Sequence, residues 1–425
     1  MGKYSIFLVL GLMISVLFIR MQTQGAVRQG MSTYIDKYSE IVRRNVANSG
    51  ANAALNKLML DIDENDPVNN ESWANGTYSF KFERQAEDVN LGPTMIRVTS
   101  VGEYMGSKDT VVVLLTRPSF SRFAYFTNTE GNIWFAGGDT LWGPTHTNDY
   151  FHISGTYGNQ AVFMGKVSSH RVYSAYSPYQ KYYTSTNPEF HDGSEWLVPE
   201  LKMPSSIPSD VVNAAVTGGL YFNTKYVWMD FQSDSTVRIC AKNYSTTPTS
   251  AEYTTYNMSG TNGVIYCRYS SDPSSTVVNV EGTVSGKVTV ASENDIRITD
   301  DLLLNDNPAT NPLSEDMIGL VATKDVSVAN NSYLADRTIQ ATIMTMNPTT
   351  STYARNFFVE NYDTQTYGYL RLYGGLIQYA RGAVGLLGSP HKGYLKNYHW
   401  DPRLKDMKPP YFPMLLALRK IAWYD

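Results

Sequence analysis

The chain opens with an apolar block and then changes rhythm twice. Tyr4 to Ile19 holds sixteen uncharged residues, bounded by Lys3 and Arg20. From Val27 the apolar positions are Met31, Tyr34, Ile35, Tyr38, Ile41, Val42, Val46, Ala53, Ala54, Leu55, Leu58 and Met59. Most of these steps are three or four residues, the stripe of an amphipathic helix, so one helix is expected to run on to about Leu60. Asp61 to Asn70, with Pro67, ends it. The period then drops to two. Thr77–Glu83, Met95–Val101 and Thr110–Leu115 alternate, with turns at Gly92-Pro93 and Gly106-Ser107, and predict a small antiparallel sheet packed on the helix. Arg117-Pro118 closes that head.

Beyond residue 119 the runs are short and strand-like, separated by Gly, Asn and Asp, with almost no helical period. Val277–Val290, Asp295–Ile298, Ile318–Ala322, Asp325–Val328, Thr338–Met346 and Leu370–Leu387 are the clearest. Such strands fit the rungs of a parallel β-helix better than the longer hairpins of a β-sandwich. Residues 170–215, rich in Tyr, Ser and Pro and including Tyr176, Tyr179, Tyr182 and Tyr183, read as an irregular insertion, as do residues 241–262. Leu415 to Trp423 is expected to cover the end of the solenoid. The expected fold class is α+β, mainly β. The expected domains are a stem helix over residues 1–62, a small sheet over 63–118 and a β-rich surface domain over 119–425.

The stem admits three readings. At about 1.5 Å per residue, sixteen residues span roughly 24 Å, a little less than a hydrocarbon core. A cleaved signal peptide would use Gln24-Gly25-Ala26 as a poor cleavage site. A retained anchor would keep Lys3 on the cytoplasmic side. An assembly stem would sit in the membrane first and later pack against its own copies. The small residues Ala47, Ser49, Gly50, Ala51, Ala53 and Ala54 would let another backbone approach closely.

Composition narrows the choice. Only 17% of residues are charged, the net charge is −4, and no basic footprint for nucleic acid is present. The 31 tyrosines suit broad β surfaces, subunit interfaces and glycan stacking. Two cysteines, Cys240 and Cys267, each end a strand-like run, and either pair in an oxidising exterior or stay as buried thiols.

Candidate chemistry is thin. His146, Asp149, His152 and His170 are the best cluster, but strand alternation sets Asp149 opposite the first and third. Asp295, Asp300, Asp301 and Asp306 stand among asparagines and read as turn residues. No HExxH or GxSxG occurs. No catalytic, metal or cofactor residue is assigned, and the chain is expected not to be an enzyme.

The uncharged N-terminal helix, its continuation Asn48-Ser49-Gly50-Ala51-Asn52-Ala53-Ala54-Leu55-Asn56 and the sheet that follows resemble type IV pilin-like and minor-pilin-like proteins. Ile133-Trp134-Phe135, Gly143 to Asp149, Gly155 and Phe163 to Val167 are similar to a bacterial surface-domain family of unassigned function carried on such stems. The chain departs from the pilin pattern at the mature fifth residue: counting from Met1 gives Ser5, counting after Gly2 gives Phe7, and no acid stands in the apolar run. The resemblance implies an exported filament subunit that is membrane-anchored before assembly. Its assembly helix would use Ile6, Phe7, Leu8, Leu10, Leu12, Ile14, Leu17, Phe18 and Arg20. The implied partners are its own copies and the inner membrane, with glycans or cell surfaces as further candidates. A membrane-anchored carbohydrate-active β-helix enzyme and a low-copy tip adhesin are the alternatives.

Overall fold

A computed structural model describes residues 2–84, 87–92, 94–154, 160–181, 187–329, 336–346, 355–386, 388 and 390–424. Pro93, Gly155, Tyr182 and Tyr183 lie outside them. The chain divides into two units: Met1–Pro118 together with Ala417–Asp425, and Ser119–Leu416.

In the first unit one helix, α1, runs unbroken over Gly2–Leu60. A five-stranded antiparallel sheet follows. Its members are β1 (Val68–Trp73), β2 (Gly76–Glu83), β3 (Met95–Tyr104), β4 (Ser107–Thr116) and a terminal strand, Arg419–Tyr424. β3 alternates between buried and half-buried positions along its length, with Ile96 and Val98 turned toward α1. The terminal strand corrects the expectation for the C-terminus. Arg419–Tyr424 pairs with β4, so the last residues complete the small sheet instead of covering a solenoid end. Val68 to Asn70, read as part of the run that ends the helix, belong to the opposite edge strand, Val68–Trp73.

Only the last third of α1 is packed. Val46, Ala47, Ala51, Ala54 and Leu58 bury against Tyr78, Phe80, Val98, Val111 and Val113. The approach is close because two glycines permit it. A Cβ on Gly102 would stand 2.4 Å from the Ala47 amide nitrogen, and one on Gly50 would stand 2.4 Å from Ser100 Oγ. Ser100 Oγ donates to the Ala47 carbonyl at 2.8 Å, a bond from sheet to helix backbone. The small-residue stretch of the helix therefore meets the chain's own sheet.

The second unit is built from parallel ladders. In one, Ile265, Val290, Leu320, Ile343, Leu376, Tyr125, Thr145 and Val167 succeed one another in register. A second stacks Val227, Val278, Ile296, Val326 and Phe357. A third stacks Leu302, Ile339, Leu372, Tyr398, Leu141, Phe163 and Phe190. These columns share one core, and each fully buried Val, Leu or Ile contributes about 1.5–3 kcal/mol. Both stretches expected to be irregular contain rungs of their own. Gln180–Lys181, Glu189–Phe190 and Ser194–Trp196 extend the ladders, and Ser209–Gly218 forms a helix, α2. Thr254–Asn257 pairs with Thr236–Lys242.

Stack order differs from chain order. The chain enters at Tyr125–Thr129 and adds parallel strands as far as Ser194–Trp196. It begins again at Leu220–Phe222, whose ladder partner is Val264–Cys267, and coils back until Thr366–Ala380 pairs with Tyr125–Thr129. Entry and exit consequently adjoin: Ser119 bridges Met414, and the Phe120 amide donates to the Pro413 carbonyl at 3.1 Å. An inserted domain needs neighbouring ends, and this one has them.

Candidate assembly helix and buried seam

Among the described side chains of α1, all from Tyr4 to Tyr38 are exposed. Ile6, Phe7, Leu8, Leu10, Leu12, Ile14, Leu17 and Phe18 are each more than half exposed, and Arg20 is exposed beside them. The helix is long and apolar enough near its N-terminus to cross a membrane. Between Arg20 and the docked segment the exposed large apolar residues are Met21, Ile35 and a set of five, Val27, Met31, Tyr34, Tyr38 and Ile41. At about 100° per residue these five fall on one face, and Ala47, Ala51, Ala54 and Leu58 fall roughly half a turn away. The sheet covers the second face and leaves the first bare. Asn45, Asn52 and Asn56 continue the bare face and are also exposed, so the apolar stripe stops where the docked segment begins.

The outer wall of the first ladder is treated differently. Tyr266, Ala291, Val321, Met344, Ile377 and Phe126 alternate with the core column, point away from it, and are all buried. The chain's own return and exit segments cover this wall. Thr289 Oγ1 donates to the Pro410 carbonyl at 2.5 Å, the side chains of Phe412 and Pro409 crowd Gly319, and α2 packs on Val264–Cys267.

His146 belongs to that covered wall. One ring nitrogen lies 2.8 Å from Ser168 Oγ and the other 3.1 Å from Asn148 Oδ1, and the ring stacks on Phe126. Burial pushes its pKa down to about 4, against the Asn148 hydrogen bond, so the ring is neutral. Asn148 holds the covering segment, accepting from the Leu201 amide and donating to the Leu201 carbonyl, and His170 Nδ1 meets the Val198 carbonyl at 2.8 Å. His152 sits elsewhere, stacked on Tyr150 and tilted against Trp134. Asp149 accepts from the Glu130 amide. The histidines are therefore not gathered into one centre. Among the described residues, no group of three or more His, Cys, Asp or Glu is placed to hold a metal.

The aspartates are spent on turns and ladders. Asp300 and Asp301 pair with Arg337, Asp295 with Lys324, and Asp306 accepts from Asn311. Cys240 and Cys267 are buried free thiols. Cys267 faces the core, where burial raises its pKa, whereas Cys240 follows core-facing Ile239 and so points to the other side of its strand. The candidate disulfide is not formed.

Sequence reasoning missed the seam between the two coil runs. Arg381, from the end of the second run, reaches Glu130 of the first at 3.0 Å, with both almost wholly buried. Its guanidinium lies 3.7 Å over the Phe135 ring and donates to the Ile133 and Trp134 carbonyls. Lys396 pairs with Asp139 at 3.1 Å, and His399 stacks on Trp142 at 5.5 Å. Cations come from one run and anions from the other. The partners are roughly 250 residues apart in sequence. The available signal was faint: a lysine within the aromatic-rich segment Lys392–Trp400 of a charge-poor chain.

A family model described as a domain of unknown function (DUF4900) matches residues 77–171, which span β2 to β4 and the first coils of the second unit. No curated protein matches the chain. Among solved structures, the competence-associated pilin ComZ from Thermus thermophilus is similar at 11% identity, with 91% of this chain and 97% of that one covered and a TM-score of 0.34.

Proposed function

We propose that this protein is an exported structural subunit of an extracellular pilus-like filament, held in the inner membrane by its N-terminal helix before assembly. One observation carries the reading. A single 59-residue helix is docked at one end and bare at the other, and the bare stripe faces away from the five-stranded sheet of its unit. In an aqueous exterior that apolar surface favours burial at about 25 cal/mol per Å². The lipid core serves the sixteen uncharged residues Tyr4 to Ile19, and copies of the same helix serve the whole bare length. Without an acid in the run, packing of side-chain shape sets the register.

We read the second unit as a parallel β-helix that forms the outer surface of the subunit. The three in-register columns and the parallel pairing of successive coils support this. The structural reading is preferred over an enzyme because the plausible acid–base residues are already engaged. His146 lies beneath the covering segment, and Asp300 and Asp301 hold Arg337.

Negative-stain imaging of the full chain released from membranes tests the proposal. Uniform filaments are expected, with only dispersed particles after deletion of residues 2–26. Filaments that survive the deletion would overturn it. So would polysaccharide turnover that disappears in Asp300→Asn.

A further inference from the structure

We propose that Lys396 and Asp139 become joined by an isopeptide bond, so that the β domain is locked covalently across its seam. The start of the first run and the end of the second meet there without chain continuity: Leu376 lies opposite Tyr125, and Tyr398 opposite Leu141. Lys396 comes from the last long strand of the second run, Lys392–Trp400. Asp139 directly precedes the strand Thr140–Trp142 of the first. Lys396 Nζ stands 3.1 Å from Asp139 Oδ2, with the two side chains 27% and 16% exposed, so most of the pair is removed from water. Asp139 is held in place, because Oδ2 also accepts from the Ala136 amide at 3.1 Å and its carbonyl accepts from the Val162 amide at 2.9 Å.

The pair opens on a cavity of about 20 Å³ whose apolar walls include Tyr125, Phe135, Phe357, Leu376 and Val384. Such a volume holds about one water molecule. Tyr398 lines the same cavity, and its hydroxyl is buried there without a hydrogen-bond partner. Beside it Arg381 and Glu130 neutralise one another.

The chemistry needs no added reagent. Within the pair, one proton passes from the lysine ammonium to the carboxylate, leaving a neutral amine and a neutral acid, which an apolar site tolerates better than two ions. Burial lowers the lysine pKa in the same direction. The Nζ lone pair attacks Cγ and a C–N bond forms. The C–OH bond then breaks, and the hydroxyl leaves with a proton from nitrogen as one water. An ammonium and a carboxylate thus become an amide plus water, with no change in oxidation state. Tyr398 steadies the oxygen on which charge builds.

Proteolytic digestion of the purified full chain, read by mass spectrometry, tests the bond. The expected product is one branched peptide in which the segment containing Lys396 is attached to the segment containing Asp139, lighter by one water than the two together. Lys396→Arg keeps a cation beside Asp139 but cannot form the amide, and should yield the two peptides separately. Tyr398→Phe should slow or reduce cross-linking while leaving the pair in place. Separate, full-mass peptides from the unaltered chain would overturn the proposal, as would a cross-link that maps to other residues. Where Lys396→Arg fails to fold, the peptide map of the unaltered chain still decides.

Discussion

Two apolar surfaces in this molecule begin alike and end differently. The outer wall of the first β ladder carries Tyr266, Val321, Met344, Ile377 and Phe126, and the chain covers all of them with its own return and exit segments. The N-terminal half of α1 carries a longer apolar surface and leaves it bare. Where the fold needs to hide apolar surface, it spends chain to do so, crossing the ladder wall with Leu201, α2 and Phe412. Nothing comparable is spent on the stem. On the proposed reading, that bare surface is covered from outside, by lipid or a second copy.

The contrast is broken most severely by removing the bare surface. Deleting residues 2–26 should abolish both membrane association and polymerisation, measured by flotation and by imaging, while thermal unfolding of the β domain stays unchanged. Loss of the β domain's own transition would show that the stem is part of a fold and not an assembly device.

Next in size is a matched pair of truncations. Phe412 is fully buried against Gly319, whereas Phe18 is 65% exposed. Phe412→Ala should cost about 3–5 kcal/mol in denaturant unfolding of the β domain. Phe18→Ala should cost the isolated subunit nothing beyond about 0.5 kcal/mol and should instead weaken assembly. Equal stability losses would erase the distinction between the two surfaces.

A third test uses pH. His146 is held at about 4 in the folded wall and returns to 6.5 on unfolding. Above 6.5 neither state binds the proton. Below it the unfolded chain takes a proton that the folded wall refuses, so stability falls as pH drops from 6.5 toward 4, by about 3 kcal/mol in total. His146→Gln keeps a hydrogen-bonding side chain without that titration. Denaturation midpoints of the two proteins should converge at pH 4 relative to pH 7; a constant gap would mean that His146 is not buried.

The helix was legible because its signal is local. Steps of three and four up to Leu58 and the acid–proline run after it mark the same end that the structure shows. The alternation within β2, β3 and β4 is likewise a property of neighbours. What failed to show is non-local. Leu376 against Tyr125, and Trp423 against Val113, join positions hundreds of residues apart, and no periodicity records which strand will be adjacent. Parallel strands buried on both faces, such as Met317–Ala322, also lose the alternation that marks a half-exposed strand. The short rungs Gln180–Lys181 and Glu189–Phe190 are too brief to carry a pattern. The seam pairs combine both difficulties, which is why nothing in the sequence singles out Glu130, Arg381, Asp139 and Lys396.

The smallest effect concerns the boundary between the docked and bare parts of α1. Trp423, on the terminal strand, donates from Nε1 to Asn48 Oδ1 at 3.1 Å, where the docked segment begins. The bond ties a strand that follows the entire β domain in sequence to a helix that precedes it. Trp423→Phe keeps an aromatic ring in the packing and removes the donor, so the expected cost is that of one hydrogen bond, about 1 kcal/mol. Hydrogen exchange is the sharper readout. If the terminal strand clamps the helix, amides from Val46 to Ala54 should lose protection in Trp423→Phe, while those of Tyr4 to Ile19 stay as they were. Protection lost evenly along α1 would mean that the docked part is held by the sheet as a whole and that Trp423 merely fills space.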